Sequence, residues 1–176
     1  MTGSTLDDVP PGSRVFIDAT VFVYHFCRAS EQCRRFLGRC ERGDVSGVTS
    51  VGVLLEVTHK LMVFEAIAAG LVSAGRAVRR LREHPEIVRQ LARYSAQVAE
   101  IPAWGLEVLP VDPGGCLRAA EWRARFGLLT NDALVVATMS DAKMQSIATA
   151  DQDFGRVDGL RVYRPTDLGS PHQALA

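Results

Sequence analysis

The sequence predicts an α/β fold with a mostly parallel central sheet and helices on both faces. Short apolar runs at residues 15–17, 45–49, 106–111, 146–150 and 161–163 have the length and β-branched content of buried strands. Longer segments of helical spacing separate them, and regular strand–helix alternation favours parallel crossovers over hairpins. A third observation is chemical: acidic residues recur where the apolar runs end, at Asp18 and again at Asp151 and Asp153.

Pro10, Pro11 and Gly12 bound the first strand, and the apolar run then delivers Asp18. Burying an unpaired carboxylate is costly or shifts its pKa, which places Asp18 at the strand's carboxyl end, where open α/β sheets bind ligands. A helix cap is the plainer reading of Asp18 followed by Thr20. Residues 31–42 read as a helix with Cys33, Phe36, Leu37 and Cys40 inward and Arg35, Arg39 and Arg42 on the other face, stopped by Gly43.

Thr49 and Ser50 cap a helix over 51–66 that carries Glu56 midway. Its spacing to Lys60 also fits an ordinary i,i+4 surface pair. Residues 67–101 turn Ala- and Arg-rich, and two helices fit there, over 73–83 and 85–100, the second with Pro85 at its first position. Their arginines, Arg76 and Arg80 among them, fall outward, as on a solvated face or a phosphate-binding one. Asp112 before Pro113 starts a helix that Gly127 ends, and Asp112 is therefore structural. The next helix holds Asp132 in its first turn and is otherwise almost wholly apolar; Thr130 and Asn131 offer capping oxygens, which leaves Asp132 free of that duty.

The 176 residues fit one domain, with 1–13 as an N-terminal tail, 67–101 as a helical segment and 169–176 as a loose C-terminal tail. Hydrophobic residues at 47% and charged residues at 23% are ordinary for a globular chain and exclude disordered and fibrous classes. Formal net charge is zero, so contact with nucleic acid must come from a local patch. The N-terminus lacks a basic region followed by an apolar core, and no apolar stretch reaches about 18 residues, so a cytoplasmic protein with no membrane partner is expected. Cys27, Cys33, Cys40 and Cys116 form no Cys-x-x-Cys pair and read as reduced core residues. Four scattered histidines make no zinc site.

In a parallel sheet of this kind, Asp18, Asp132 and Asp151 arrive along one edge, with Glu56 reaching in from a flanking helix. Carboxylates so close cannot all stay ionised unless a cation offsets their repulsion, and an all-oxygen donor set favours Mg²⁺ or Mn²⁺. Such a site suits in-line displacement at phosphorus. No G-x-G-x-x-G or P-loop motif supports a nucleotide-binding protein, and Thr20 stands where an Asp-nucleophile phosphatase would carry its second acid.

The run ending in Asp18-Ala19-Thr20, Glu56 in a helix after Thr49-Ser50, Leu129-Thr130-Asn131-Asp132-Ala133-Leu134, and Ala148-Thr149-Ala150-Asp151-Gln152-Asp153-Phe154 together resemble the PIN domain family, in particular its VapC-type ribonuclease toxins. The resemblance covers residues 15–165. It implies a PIN-like three-layer fold and a Mg²⁺- or Mn²⁺-dependent endoribonuclease, dimeric and neutralised by a cognate antitoxin. Asp18, Glu56, Asp132 and Asp151 match the acidic quartet, with Asp153 as a substitute or supporting acid. Thr20, Thr149 and Asn131 are the neighbours placed to orient them. Arg35, Arg39, Arg76 and Arg80 are the positions offered to RNA or to the antitoxin. The alternative is a PIN-like module that binds RNA or a protein and no longer cuts. Two features depart from the family pattern: Ala19-Thr20 replaces the usual hydroxyl residue followed by Ser or Asn, and the 67–101 segment is long.

Overall fold

The computed structural model describes residues 4–168; the expected C-terminal tail at 169–176 lies outside the described residues. Five parallel strands form one sheet: β1 (Arg14–Ile17), β2 (Ser46–Ser50), β3 (Glu107–Leu109), β4 (Ser146–Ala148) and β5 (Arg161–Tyr163). Their order is β3-β2-β1-β4-β5. Phe16 of β1 lies opposite Val48 of β2 on one side and Ile147 of β4 on the other. Val15, Phe16 and Ile17 are all fully buried, so both faces of the central strand are covered, as expected for a parallel sheet clothed by helices.

The chain leaves β1 toward β2 and β3 on one side and places β4 and β5 on the other. The direction of strand order therefore reverses between β1 and β4, and in open α/β sheets the crevice at the carboxyl ends of such a pair is where ligands bind.

Among the described residues eight α-helices occupy the connections: α1 (Ala19–Phe26), α2 (Glu31–Glu41), α3 (Val51–Ala68), α4 (Ala77–Glu83), α5 (Pro85–Val88), α6 (Arg93–Ala103), α7 (Pro113–Phe126) and α8 (Thr130–Asp141). The caps expected at Ser50 and Asp112 form, Ser50 accepting from the Val53 N–H and Asp112 from that of Gly115, and Ser30 caps α2 by accepting from the Cys33 N–H. Gly127 closes α7 in the left-handed conformation, φ 66°, which glycine adopts without a steric penalty. α1 packs against α2 and α3, α3 against α6 and α8, and α7 against α8. Among the described residues no helix is long and apolar enough to cross a membrane.

Three expectations are corrected. Residues 4–13, the described part of the expected N-terminal tail, pack onto the domain: Leu6 and Val9 are buried, the Leu6 N–H donates to the Arg164 carbonyl at 3.1 Å, and Asp7 pairs with Arg35 at 2.8 Å. Two apolar residues one turn apart gave this stretch something to bury.

The single helix expected over 85–100 is two, α5 and α6, broken around Leu91, which turns into a small core with Ala66, Val72, Ala77 and Leu81. The break is held by Glu65 of α3, whose carboxylate accepts the N–H groups of Ala92, Arg93 and Tyr94 at 3.1, 3.1 and 2.8 Å. Burial works to raise the Glu65 pKa, but these three donors outweigh it and hold the group below the usual carboxylate range.

Cys27 and Cys116 are exposed rather than core residues, whereas Cys33 and Cys40 are buried, and burial pushes both of those thiols up to about 12.

Candidate active site

Asp18 stands where β1 ends and α1 begins. Its N–H still donates to the Ala148 carbonyl of β4 at 3.0 Å, and its side chain caps α1. The cap and the strand-end carboxylate are therefore the same residue in one position.

Asp18 is 5% exposed, and its Oδ2 accepts the Thr20 hydroxyl at 2.7 Å, the Thr149 hydroxyl at 2.8 Å and the Thr20 N–H at 3.3 Å. Each hydroxyl accepts in turn from the β4 exit loop, Thr20 from the Ala150 N–H and Thr149 from the Asp151 N–H, both at 2.9 Å. Both hydroxyl protons are thus spent on Asp18, and their 3.4 Å separation is a contact rather than a bond. All donors fall on Oδ2, which leaves Oδ1 without one among the described residues. Burial raises the Asp18 pKa more than the two hydroxyls lower it, and the charge of Glu56 adds to the rise. Thr20 thus supplies the orienting bond that the departure at Ala19-Thr20 had put in question.

Asp132 lies in the first turn of α8 and is partly buried. Its pKa is pushed up to about 6, first by burial and then by Asp151, Asp18, Glu56 and Asp153 in that order. Every acid the sequence singled out therefore acts on it, which marks one confluence of negative charge. The expected capping by Thr130 and Asn131 is corrected: α8 is capped at Leu129 with no side-chain bond. Asn131 instead reaches across to α3, its Nδ2 donating to Glu56 Oε2 at 3.2 Å.

The other oxygen of Glu56 holds Lys60 Nζ at 2.7 Å, so the i,i+4 pair forms and sits at the acidic edge rather than on a remote surface. Burial works against the Lys60 ammonium, yet the hydrogen bond and charge of Glu56, with Asp18 behind it, raise its pKa above the ordinary value. Asp151 Oδ1 accepts from the Asp153 N–H at 2.8 Å, while the Asp153 carboxylate pairs with Arg156 at 2.9 Å.

Asp18, Asp132 and Asp151 are the carboxylates available to a cation, with Glu56 and Asp153 beside them. As they stand, no three acidic, His or Cys side chains gather closely enough to hold a metal ion among the described residues. The partners explain the spacing: threonine hydroxyls hold Asp18, Lys60 and Asn131 hold Glu56, and a backbone N–H holds Asp151.

The arginines offered to RNA are not brought to this edge. Arg39 is tied to Asp44 and to the Val9 carbonyl, at the entry to β2 and β1, the opposite end of the sheet from the acids. Arg35 is tied to Asp7. Arg76 and Arg80 are exposed and line an open depression of about 460 Å³ beside residues 70–73. Lys60 was expected only as an ordinary surface partner of Glu56, and the structure sets it at the acidic edge. Its signal was rarity: it is one of two lysines in a chain with eighteen arginines.

A family model described as PIN domain matches residues 15–160. Ribonuclease VapC2 of Methanocaldococcus jannaschii is 25% identical over 154 residues, spanning 85% of this chain and 93% of that one. Ribonuclease VapC6 of the same organism is 23% identical over 152 residues, spanning 86% and 97%. Among solved structures, VapC20 of Mycobacterium tuberculosis, described as a Sarcin-Ricin loop cleaving toxin, superposes with a TM-score of 0.58 at 18% identity, covering 85% of this chain and 98% of that one. VapBC2 of Rickettsia felis, bound to a DNA fragment from its promoter, gives 0.57 at 13% identity, covering 86% and 98%. These two carry the likeness of fold.

Proposed function

The chain belongs to the PIN domain family, and we propose that it is a Mg²⁺- or Mn²⁺-dependent endoribonuclease of the VapC type, acting as the toxin of a toxin–antitoxin pair. The observation that carries this reading is the charge confluence at the β1/β4 switch point, where burial and four neighbouring acids drive Asp132 up to about 6.

The residues fit a divalent cation. The donors are all oxygens, which suits Mg²⁺ or Mn²⁺, and Asp18, though 5% exposed, keeps one oxygen without a protein donor. Asp18, Asp132 and Asp151 would hold the ion, with Glu56 or Asp153 completing the set. Such an ion would activate a water and offset charge developing at phosphorus.

The chain's own part is positioning. Thr20 and Thr149 fix the Asp18 carboxylate, so that one group stays in place whether or not the others move. Asn131 and Lys60 tether one oxygen each of Glu56, the carboxylate that would accept a proton from the attacking water. Lys60 supplies positive charge for a phosphate oxygen.

The second reading is a PIN-like module that binds RNA or a protein without cutting. A growth test decides between them in cells. Inducing the wild-type protein slows growth, and Asp18→Asn does not; equal inhibition by both counts against the nuclease.

A cognate antitoxin and a second copy of the chain are the proposed protein partners. Val51, Leu55 and Leu129 beside the acidic edge are 44%, 67% and 73% exposed, apolar surface that a partner would cover. A small co-purifying protein in the native host and a dimer by light scattering are the expected results.

A further inference from the structure

A groove of about 400 Å³ opens directly beside the acids, between α1, α3 and the start of α4. Two of its lining residues belong to both places: Thr20, which bonds Asp18, and Lys60, which pairs with Glu56. Its walls are otherwise largely apolar and aromatic, with Tyr24, His59, Phe64 and Val78 among them. Tyr24 and Phe64 pack against the core, which holds their rings in place. On the far side of α4, Arg76, Arg79 and Arg80 line the separate open depression.

We infer that this groove is a nucleobase subsite, taking the base of a nucleotide next to the one cut. The inference rests on the ribonuclease reading of the acidic edge.

Three features single out this occupant. A groove of this size lies in the range of small-ligand sites, on the order of 300–1,000 Å³. Single-stranded RNA is read by splaying bases onto aromatic faces, and the fixed rings of Tyr24 and Phe64 with the His59 imidazole supply such faces. The order of chemistry along the surface also matches a nucleotide chain: carboxylates that would hold a cation beside the phosphate to be cut, Lys60 for the neighbouring charge, an apolar slot for the base, then arginines for the next phosphates.

Cys27 lines the groove and Cys116 lies on α7; both are exposed free thiols, so the pair provides a built-in control. The test measures iodoacetamide alkylation of each cysteine with millimolar AMP, GMP, CMP, UMP or ribose 5-phosphate. The expected result is that at least one mononucleotide slows Cys27 alkylation several-fold, ribose 5-phosphate does not, and Cys116 is unaffected. Val78→Glu, at an exposed lip position, and Tyr24→Ala both remove the protection. In single-turnover cleavage of mixed-sequence RNA, Tyr24→Ala lowers kcat/KM about tenfold and changes the base preference beside the cut.

Absence of protection by any mononucleotide, or protection that survives both substitutions, overturns the subsite. So does shielding of Cys27 by a co-expressed protein alone, which would make the groove a protein-docking surface. RNA cleavage without nucleotide protection sinks the subsite and leaves the nuclease standing. Nucleotide protection without cleavage does the reverse.

Discussion

The Thr149 hydroxyl, one residue past β4, donates to the Asp18 carboxylate, one residue past β1, at 2.8 Å, and accepts the Asp151 N–H at 2.9 Å. One side chain thus fastens two adjacent parallel strands at their carboxyl ends and joins two of the acids. Replacing it with valine keeps the shape and removes both bonds, leaving a buried carboxylate short of a donor and an N–H without its acceptor. Thr149→Val is expected to lower stability in urea by about 2 kcal/mol, whereas Thr149→Ser stays within about 1 kcal/mol of wild type. A loss below about 0.5 kcal/mol in the valine variant would show that the hydroxyl does not hold the site together.

Asp132 gives the pH dependence. Its folded pKa, raised from 3.8 to about 6, means that the folded protein holds this proton more tightly than the unfolded chain. The contribution is therefore neutral below about pH 4; it becomes destabilising as pH rises through the window and is fully so above about pH 6. Because the group is only half-buried, the penalty is on the order of 1 kcal/mol after solvent screening. Asp132→Asn should match or exceed the metal-free Tm of wild type at pH 7, the helix-dipole loss of about 0.3–1 kcal/mol notwithstanding, and lose that advantage by about pH 4. Mn²⁺ should raise the wild-type Tm by mass action and the variant's much less. A large drop in the variant's metal-free Tm, with equal responses to Mn²⁺, would make Asp132 a structural residue.

Glu65 ties the helical segment to α3 through three backbone donors. Glu65→Ala leaves the first turn of α6 uncapped, and a loss of about 1–2 kcal/mol is expected. Hydrogen exchange at Ala92, Arg93 and Tyr94 should accelerate while β1 stays protected. Uniform acceleration across the chain would mean that the contact supports the whole fold rather than this joint.

The acidic edge was legible in the sequence because a carboxylate closing a buried apolar run has few places to go. Asp18 and Asp151 announced strand ends, and Asp132 stood out in an otherwise apolar helix. The cap and ion-pair readings of Asp18 and Glu56 were also legible, and the structure forms both. What escaped was set by distant partners. The α5/α6 break depends on Glu65, 27 residues before Ala92, and no local propensity encodes it. Leu6 is docked by the Arg164 carbonyl at the other end of the chain. Arg39 looks like any outward arginine until Asp44 and Val9 claim its guanidinium.

Under the proposed function, the acids at the β1/β4 switch point work through a divalent metal to cut RNA. The most direct measurement is cleavage of single-stranded RNA by purified protein, followed with Mg²⁺, with Mn²⁺ and in excess EDTA, for wild type and Asp18→Asn. Cleavage by wild type with either metal, abolished by EDTA and reduced at least a hundredfold in the variant, is the expected result. Full activity in EDTA, or equal activity in Asp18→Asn, would contradict it.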